Sequence, residues 1–355
     1  MAQTASIRGV ATLNQGFVSN EIEDLYASHL DLNGFCTVDN ELQGTAGDIR
    51  KINVYGATGS AEKVAEGQGN SGYITTSLVE KEYRIECAQS WFQYSDEALM
   101  RDPVAVQTGV TRLGVSLFDQ VNADLYGEMA KASRAVVAST PDFDAFVDAA
   151  AKIDFVDGNE TAREYQGRTI PTLWAIMDAK TLASTRKAMK DQIVYDPTLA
   201  WSQGYVGTVA GIALYVKQNA SEKMIYVGTD KAVTIFNKTG VETEIVAKNQ
   251  RGTDDANKRL NNLFARKYYI AALTNDSQIV QLALAGASVH TIQVEQGDGT
   301  TTVFTLDETA TDTPVVSVNG VILTSGYTFG SNKVTFTTAP AATDVISIDY
   351  HYTAS

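Results

Sequence analysis

Between positions 103 and 131 apolar residues recur at spacings of three and four: Val110, Leu113, Leu117, Val121, Leu125 and Met129. That spacing sets all six on one face of a single α-helix. At 1.5 Å per residue the helix is ~40 Å long. A one-sided apolar stripe of that length must be covered by other elements, so the chain is built around a spine. The stripe reads as core, not as a cofactor surface. Ser95-Asp96-Glu97 and Asp102-Pro103 supply start signals before it, with Pro103 suited to a first helical turn.

Upstream of the spine the sequence changes character. Residues 1–43 read as an arm with short helical content, since the stretch from Ser19 to Tyr26 puts polar cap residues before apolar positions at helical spacing. Glycines then punctuate 44–72 (Gly44, Gly47, Gly56, Gly59, Gly67, Gly69, Gly72). Asp48–Tyr55 is a strand candidate, and Tyr73–Tyr94, rich in β-branched and aromatic residues, is its partner. Together they read as a long two-stranded ribbon with a glycine-rich tip. A bare ribbon is marginal in water, so it should lie on its own domain or on a neighbouring subunit. The ribbon by itself leaves both open.

Downstream, 141–250 mixes helices and strands, as in an α/β domain with a central sheet. Asp142–Phe155 reads as a helix anchored by Phe143, Phe146 and Val147, and Leu173–Met189 as another that begins at Pro171. Ile212–Val216, Met224–Val227 and Val233–Phe236 read as strands. Lys267–Leu273 and Ile279–Leu284 close this body, and Gly286 marks a boundary. The threonine-rich remainder carries short strands at Thr302–Leu306, Val315–Val318, Val321–Thr324, Val334–Thr338 and Val345–Tyr352. Asn319-Gly320 between the second and third signals a type I′ hairpin. Ile346, Ile348, Tyr350 and Tyr352 share one face of the last strand, as in a small β-sandwich added to the body and not woven into it.

Composition narrows the function classes. The 355 residues are 44% hydrophobic and 20% charged, as in an ordinary folded protein long enough for two or three cores. No apolar run reaches the ~18 residues of a membrane helix, and the N-terminus shows no charged leader or apolar core of a secretory signal, so the expected site of synthesis is the cytoplasm. A net charge of −14 argues against a dedicated nucleic-acid binder. Seven acidic residues against Lys333 alone in 286–355 make the tail the most acidic part.

Cys36 and Cys87 read as two reduced, mostly buried thiols, and His29, His290 and His351 are isolated in sequence, so no metal site is expected. The glycine-rich run Gly204–Gly211 lacks dinucleotide spacing and reads as a loop; Asp154–Glu160 reads as a polar turn, not a calcium loop. Asp254-Asp255 and Asp96-Glu97 read as solvated pairs. No serine-hydrolase, phosphate-loop or metalloprotease pattern is present, and neither an enzyme nor a cofactor is expected.

Taken in order, these parts resemble the major capsid protein of tailed bacteriophages, an α+β shell fold sometimes called the Johnson fold. The resemblance runs over about 1–285. It implies an N-terminal arm at 1–43, an E-loop ribbon at 44–90 with the run from Lys63 to Gln68 near its tip, and a peripheral domain at 91–140 and 251–285. The spine at 103–131 is opened by the run from Gln93 to Leu99. An axial domain at 141–250 follows, and the return from Arg259 to Tyr269 rebuilds the peripheral sheet. The tail at 286–355 is an added Ig-like β-sandwich, expected on the shell exterior.

The same resemblance implies self-assembly into pentamers and hexamers of an icosahedral head that encloses double-stranded DNA without specific binding. Assembly would take place in the host cytoplasm, with separate scaffolding, portal and decoration proteins as partners and no membrane. Ribbon contacts between subunits fall to Arg50, Lys51, Lys63 and Glu66. Some relatives cross-link Lys to Asn; Lys51 and Lys63 lie in the right segment, but no matching acid or acceptor is legible. The fold also serves encapsulin nanocompartments, and the acidic β tail suits a surface adhesin. A hydrolase would need a pocket of converging acids.

Overall fold

The computed structural model describes residues 32–43, 49–58, 75–153, 173–189, 205–246 and 258–355. The helical stretch at Ser19–Tyr26, His29, the polar turn Asp154–Glu160 and Asp254-Asp255 lie outside them.

Both start signals before the spine are used, and they start two helices. Ser95 Oγ accepts from Ala98 N at 3.2 Å and caps α1 (Asp96–Arg101). Asp102 Oδ1 then accepts from Val104 N at 3.1 Å, and Pro103 opens α2 (Pro103–Met129). Val110, Leu113, Leu117, Val121, Leu125 and Met129 are all buried. Polar side chains pin the helix between these anchors. Asn122 Oδ1 accepts from Leu32 N at 3.1 Å, Glu128 Oε2 from Leu273 N at 3.2 Å, and Asp124 bonds the Tyr269 hydroxyl.

Two sheets share α2. In the first, β12 (Leu260–Leu273) pairs antiparallel with β4 (Glu86–Ser95), β10 (Val233–Asn237) and β11 (Glu242–Val246), and β1 (Thr37–Asp39) runs parallel to β10. The second has the order β5 (Ala135–Ala138), β13 (Ile279–Leu284), β9 (Met224–Gly228), β6 (Leu173–Met177), β8 (Ile212–Val216), β7 (Tyr205–Val209). One continuous core joins Leu263, Ala265 and Tyr269 of the first sheet, Trp174, Ile176 and Tyr226 of the second, and the α2 stripe. The other face of the second sheet is covered by α3 (Phe143–Lys152) and α4 (Ala179–Met189).

Sheet membership cuts across the sequence division of the body. β10 and β11 fall within 141–250 yet pair with β12, while β5 and β13 lie outside that range yet belong to the second sheet. Both sheets are backed onto one helix, and pairing partners are set by contacts distant in sequence.

Local readings change too. Leu173–Met177 is a strand, and only Ala179–Met189 is helical. Gly204–Gly211 contains β7 and the Ala210-Gly211 turn, both at positive φ, that returns it into β8. On α3 the anchors are Phe146, Ala145 and Ala149, because Phe143 and Val147 point to the exposed side. Tyr73–Tyr94 divides at Ile85 into β3 (Thr75–Arg84) and β4. The two cysteines form no disulfide, and only Cys36 is buried, Cys87 being exposed on β4.

Gly109 in mid-helix is explained by close approach. The Phe92 ring of β4 lies so near that a Cβ at position 109 would sit 2.3 Å from its Cζ. Gly109→Ala, although it adds helix propensity, is therefore expected to destabilise the fold by about 1–3 kcal/mol through overpacking. Denaturant titration followed by tryptophan fluorescence checks this; a gain in stability would mean that the ring yields freely.

Residues 288–353 form two facing sheets. β14 (Ser288–Gln296), β20 (Val345–Thr353), β16 (Val315–Val318) and β17 (Val321–Ile322) make one; β15 (Val303–Thr305), β19 (Lys333–Phe336) and β18 (Tyr327–Gly330) make the other. Phe304, Val316, Val334, Phe336, Ile346 and Ile348 fill the space between them. Asn319 and Gly320 stand at φ 51° and 80°, as a type I′ turn requires. The domain is welded to the body: Ala287, Val289 and Ala354 join the spine core. His290 and His351, isolated in sequence, are register partners across β14 and β20.

Candidate assembly surfaces

The ribbon projects from the first sheet on a narrow root. β2 (Ile49–Thr58) and β3 pair from Ile49↔Arg84 to Thr58↔Thr75, and among the described residues they form a sheet of their own. At ~3.3 Å per residue the ladder is about 33 Å long. Its root is held where the Tyr83 hydroxyl donates to the Leu273 carbonyl at 3.3 Å and where Tyr83 and Ile85 pack against Phe236, Ile270 and Ala272.

Arg50 and Lys51 sit near this root, opposite Tyr83 and Glu82 in register, and Lys51 is exposed. Lys63 and Glu66 lie outside the described residues, so the four are not seen brought together.

A second surface escaped sequence reading. On the face of β4 and β12 that turns away from α2, Trp91 stacks on Phe264 with ring centroids 6.3 Å apart and planes 19° from parallel. Trp91 is nevertheless 58% exposed. Period-two alternation puts Phe92 and Tyr94 in contact with the helix and Trp91 outside, but only the pairing with Phe264 shows that the outer aromatics form a patch. Arg266, on the same side of β12, is bridged to Glu244 at 2.7 Å.

The sandwich offers a third surface. Ile292 and Val294 of β14, Val345 of β20, Val315 of β16 and Ile322 of β17 all stand exposed, and the register puts them on the outer side of one sheet. Along α2, a cavity of about 1010 Å³ opens between Arg112, Asp119 and Tyr126 and the turn Lys217–Asn219, with Leu32 on its wall. Lys217 Nζ lies 4.9 Å from the centre of the Tyr126 ring. Burial lowers the Lys217 pKa in spite of the Asp119 carboxylate nearby. Among the described residues no cluster of three metal-ligating side chains occurs, and no helix is long and apolar enough to cross a membrane. These are surfaces suited to contact.

No protein-family model and no curated protein matches the sequence. Solved structures do match. The capsid of Ralstonia phage GP4 aligns at 10% identity with a TM-score of 0.51, over 72% of this chain and 88% of that one. The capsid of a native GTA particle aligns at 13% identity, also with a TM-score of 0.51, over 72% of this chain and 90% of that one. The chain has the α+β fold of phage capsid proteins.

Proposed function

We propose that this chain is the major capsid protein of a tailed double-stranded DNA phage, and that it closes into an icosahedral head of pentamers and hexamers. The observation that carries the reading is the ribbon, a ten-pair ladder without a second sheet neighbour among the described residues. Such an element gains little on its own and gains much against another subunit. Arg50, Lys51, Lys63 and Glu66 are its proposed contacts. The acidic balance suits a wall that encloses DNA without gripping it. The sandwich stands on the outside, where its exposed face meets neighbours or the surroundings.

Electron microscopy of the purified chain, alone and with a scaffolding partner, tests this. Closed particles or five- and six-membered rings are expected, with nuclease-protected DNA in particles taken from infected cells. Protein cargo in place of DNA would favour a nanocompartment. A lasting monomer under both conditions would sink the shell reading and leave surface adhesion.

The exposed aromatic pair gives a finer test. Trp91→Ala removes a large anchor while touching no core, so subunit stability should change by less than about 0.5 kcal/mol. Association should weaken by about 30-fold, equivalent to the ~2 kcal/mol of an interface anchor. Sedimentation velocity during assembly reads both the monomer and the product. Unchanged assembly would remove Trp91 from the contact.

A further inference from the structure

The root of the sandwich holds a buried polar knot that packing alone does not require. β14 leaves Gly286 and lays His290 against the end of α2, with its side chain 7% exposed. Nδ1 of that ring stands 3.0 Å from the carbonyl of Ala132, and Nε2 stands 2.8 Å from Oδ1 of Asp349. A carbonyl and a carboxylate both accept. A neutral imidazole has one N–H and one lone pair, so it can satisfy only one of them; the imidazolium satisfies both.

The surroundings favour the same charge. Ala132 lies in the turn that closes α2, its N–H donating to the Met129 carbonyl at 3.2 Å, where the helix presents its negative end. Asp276, held by Ser133 N at 2.8 Å and by the Ser133 hydroxyl, adds a nearby carboxylate. The other titratable neighbour is His351, whose ring centre lies 5.2 Å away and whose Nδ1 is 2.7 Å from Asp312. Arg134 turns away, giving its guanidinium to the Lys152 carbonyl at 2.8 Å.

We propose that His290 is a protonation-dependent latch that fixes the C-terminal sandwich on the end of the spine helix, closed while the ring is an imidazolium and loosened when it is neutral. Burial pushes the imidazole pKa down, but Asp349, the Ala132 carbonyl and Asp276 outweigh it and leave the pKa above its ordinary value. A histidine free of the junction titrates near about 6.5. The raised pKa means that the latch's contribution is complete below that pH and is lost as pH rises through the docked value. Deprotonation leaves a lone pair facing one of the two acceptors.

The junction then keeps its other ties. Gln281 Nε2 donates to the His290 carbonyl at 3.0 Å and to the Ala132 carbonyl, and Gly286 N donates to the Ala354 carbonyl at 2.8 Å. The sandwich is therefore loosened and not shed. None of this depends on shell formation, since every group belongs to one chain.

Hydrogen exchange of the full-length subunit, corrected for intrinsic rates, tests the latch between about pH 5.5 and about pH 8.5, the range in which a histidine changes charge. Protection in peptides covering 284–296 and 346–354 should fall as pH rises, by up to about tenfold for each unit by which docking raises the pKa. Peptides of β12 should stay flat. His290→Gln should remove the slope, His351→Gln should keep it, and Asp349→Asn should move its midpoint to lower pH. A pH-independent junction in the wild type, a slope that survives His290→Gln, or a slope lost in His351→Gln would each overturn the proposal. Should His290→Gln fail to fold, Asp349→Asn decides: an unmoved midpoint overturns it as well.

Discussion

A Val79→Pro subunit is expected to fold normally and to fail to close particles. Val79 stands opposite Val54 in the ribbon ladder. Proline there removes a backbone donor and fixes φ near −65°, away from the extended value of a strand. Among the described side chains the spine core includes none from β2 or β3, and Tyr83 at the ribbon root packs on Phe236, Ile270 and Ala272 instead, so the unfolding transition of the body should move by no more than a few degrees. Assembly is another matter. Every ~1.4 kcal/mol lost from a subunit contact weakens that association step about tenfold, and in the proposed shell the loss would repeat around each ring. Calorimetry and sedimentation velocity on one preparation separate the two effects. Wild-type particle yield would remove the ribbon from the contacts, and a collapsed transition would show that it braces its own body instead.

The second large effect lies in the spine. Leu125 is fully buried in the core that both body sheets share. Leu125→Ala should cost about 3 kcal/mol, within the 2–5 range for buried large-to-small changes, because flanking elements cannot collapse onto the gap. The whole body should respond as one unit. Exchange protection should drop together in β12 of the first sheet and β9 of the second, while β19 of the sandwich keeps its own. Loss confined to one body sheet would mean that the sheets have separate cores and that α2 is not their common support.

The spine was legible because a one-sided helix leaves a period in the sequence, and the paired caps at Ser95 and Asp102 mark its start. The ribbon was legible from its glycines and β-branched runs, although the break at Ile85 was not. β6 was merged with α4 because Leu173–Met177 is buried on both faces, and an apolar run with no alternation carries no period to tell strand from helix. The Asn319-Gly320 hairpin announces itself, but the equivalent turn at Ser331-Asn332 has no glycine at its two positive-φ positions, Gly330 standing just before them. Sheet partners, the Trp91–Phe264 patch and the His290–His351 neighbours depend on register between distant segments. Sequence spacing holds no record of such register.

The two ends of the sandwich meet at its root, where Gly286 N bonds the Ala354 carbonyl and Ala354 N bonds the Ala287 carbonyl. A peptide joined after Ser355 would thus emerge beside the body, at the junction of sandwich and spine. The Asn319-Gly320 turn lies at the opposite end, where Asn319 N bonds the Val345 carbonyl, a strand length of about 27 Å from Thr353. Foreign epitopes carried in that turn would stand clear of the root, which makes the hairpin a better display site for a vaccine or sensor than a fusion after Ser355.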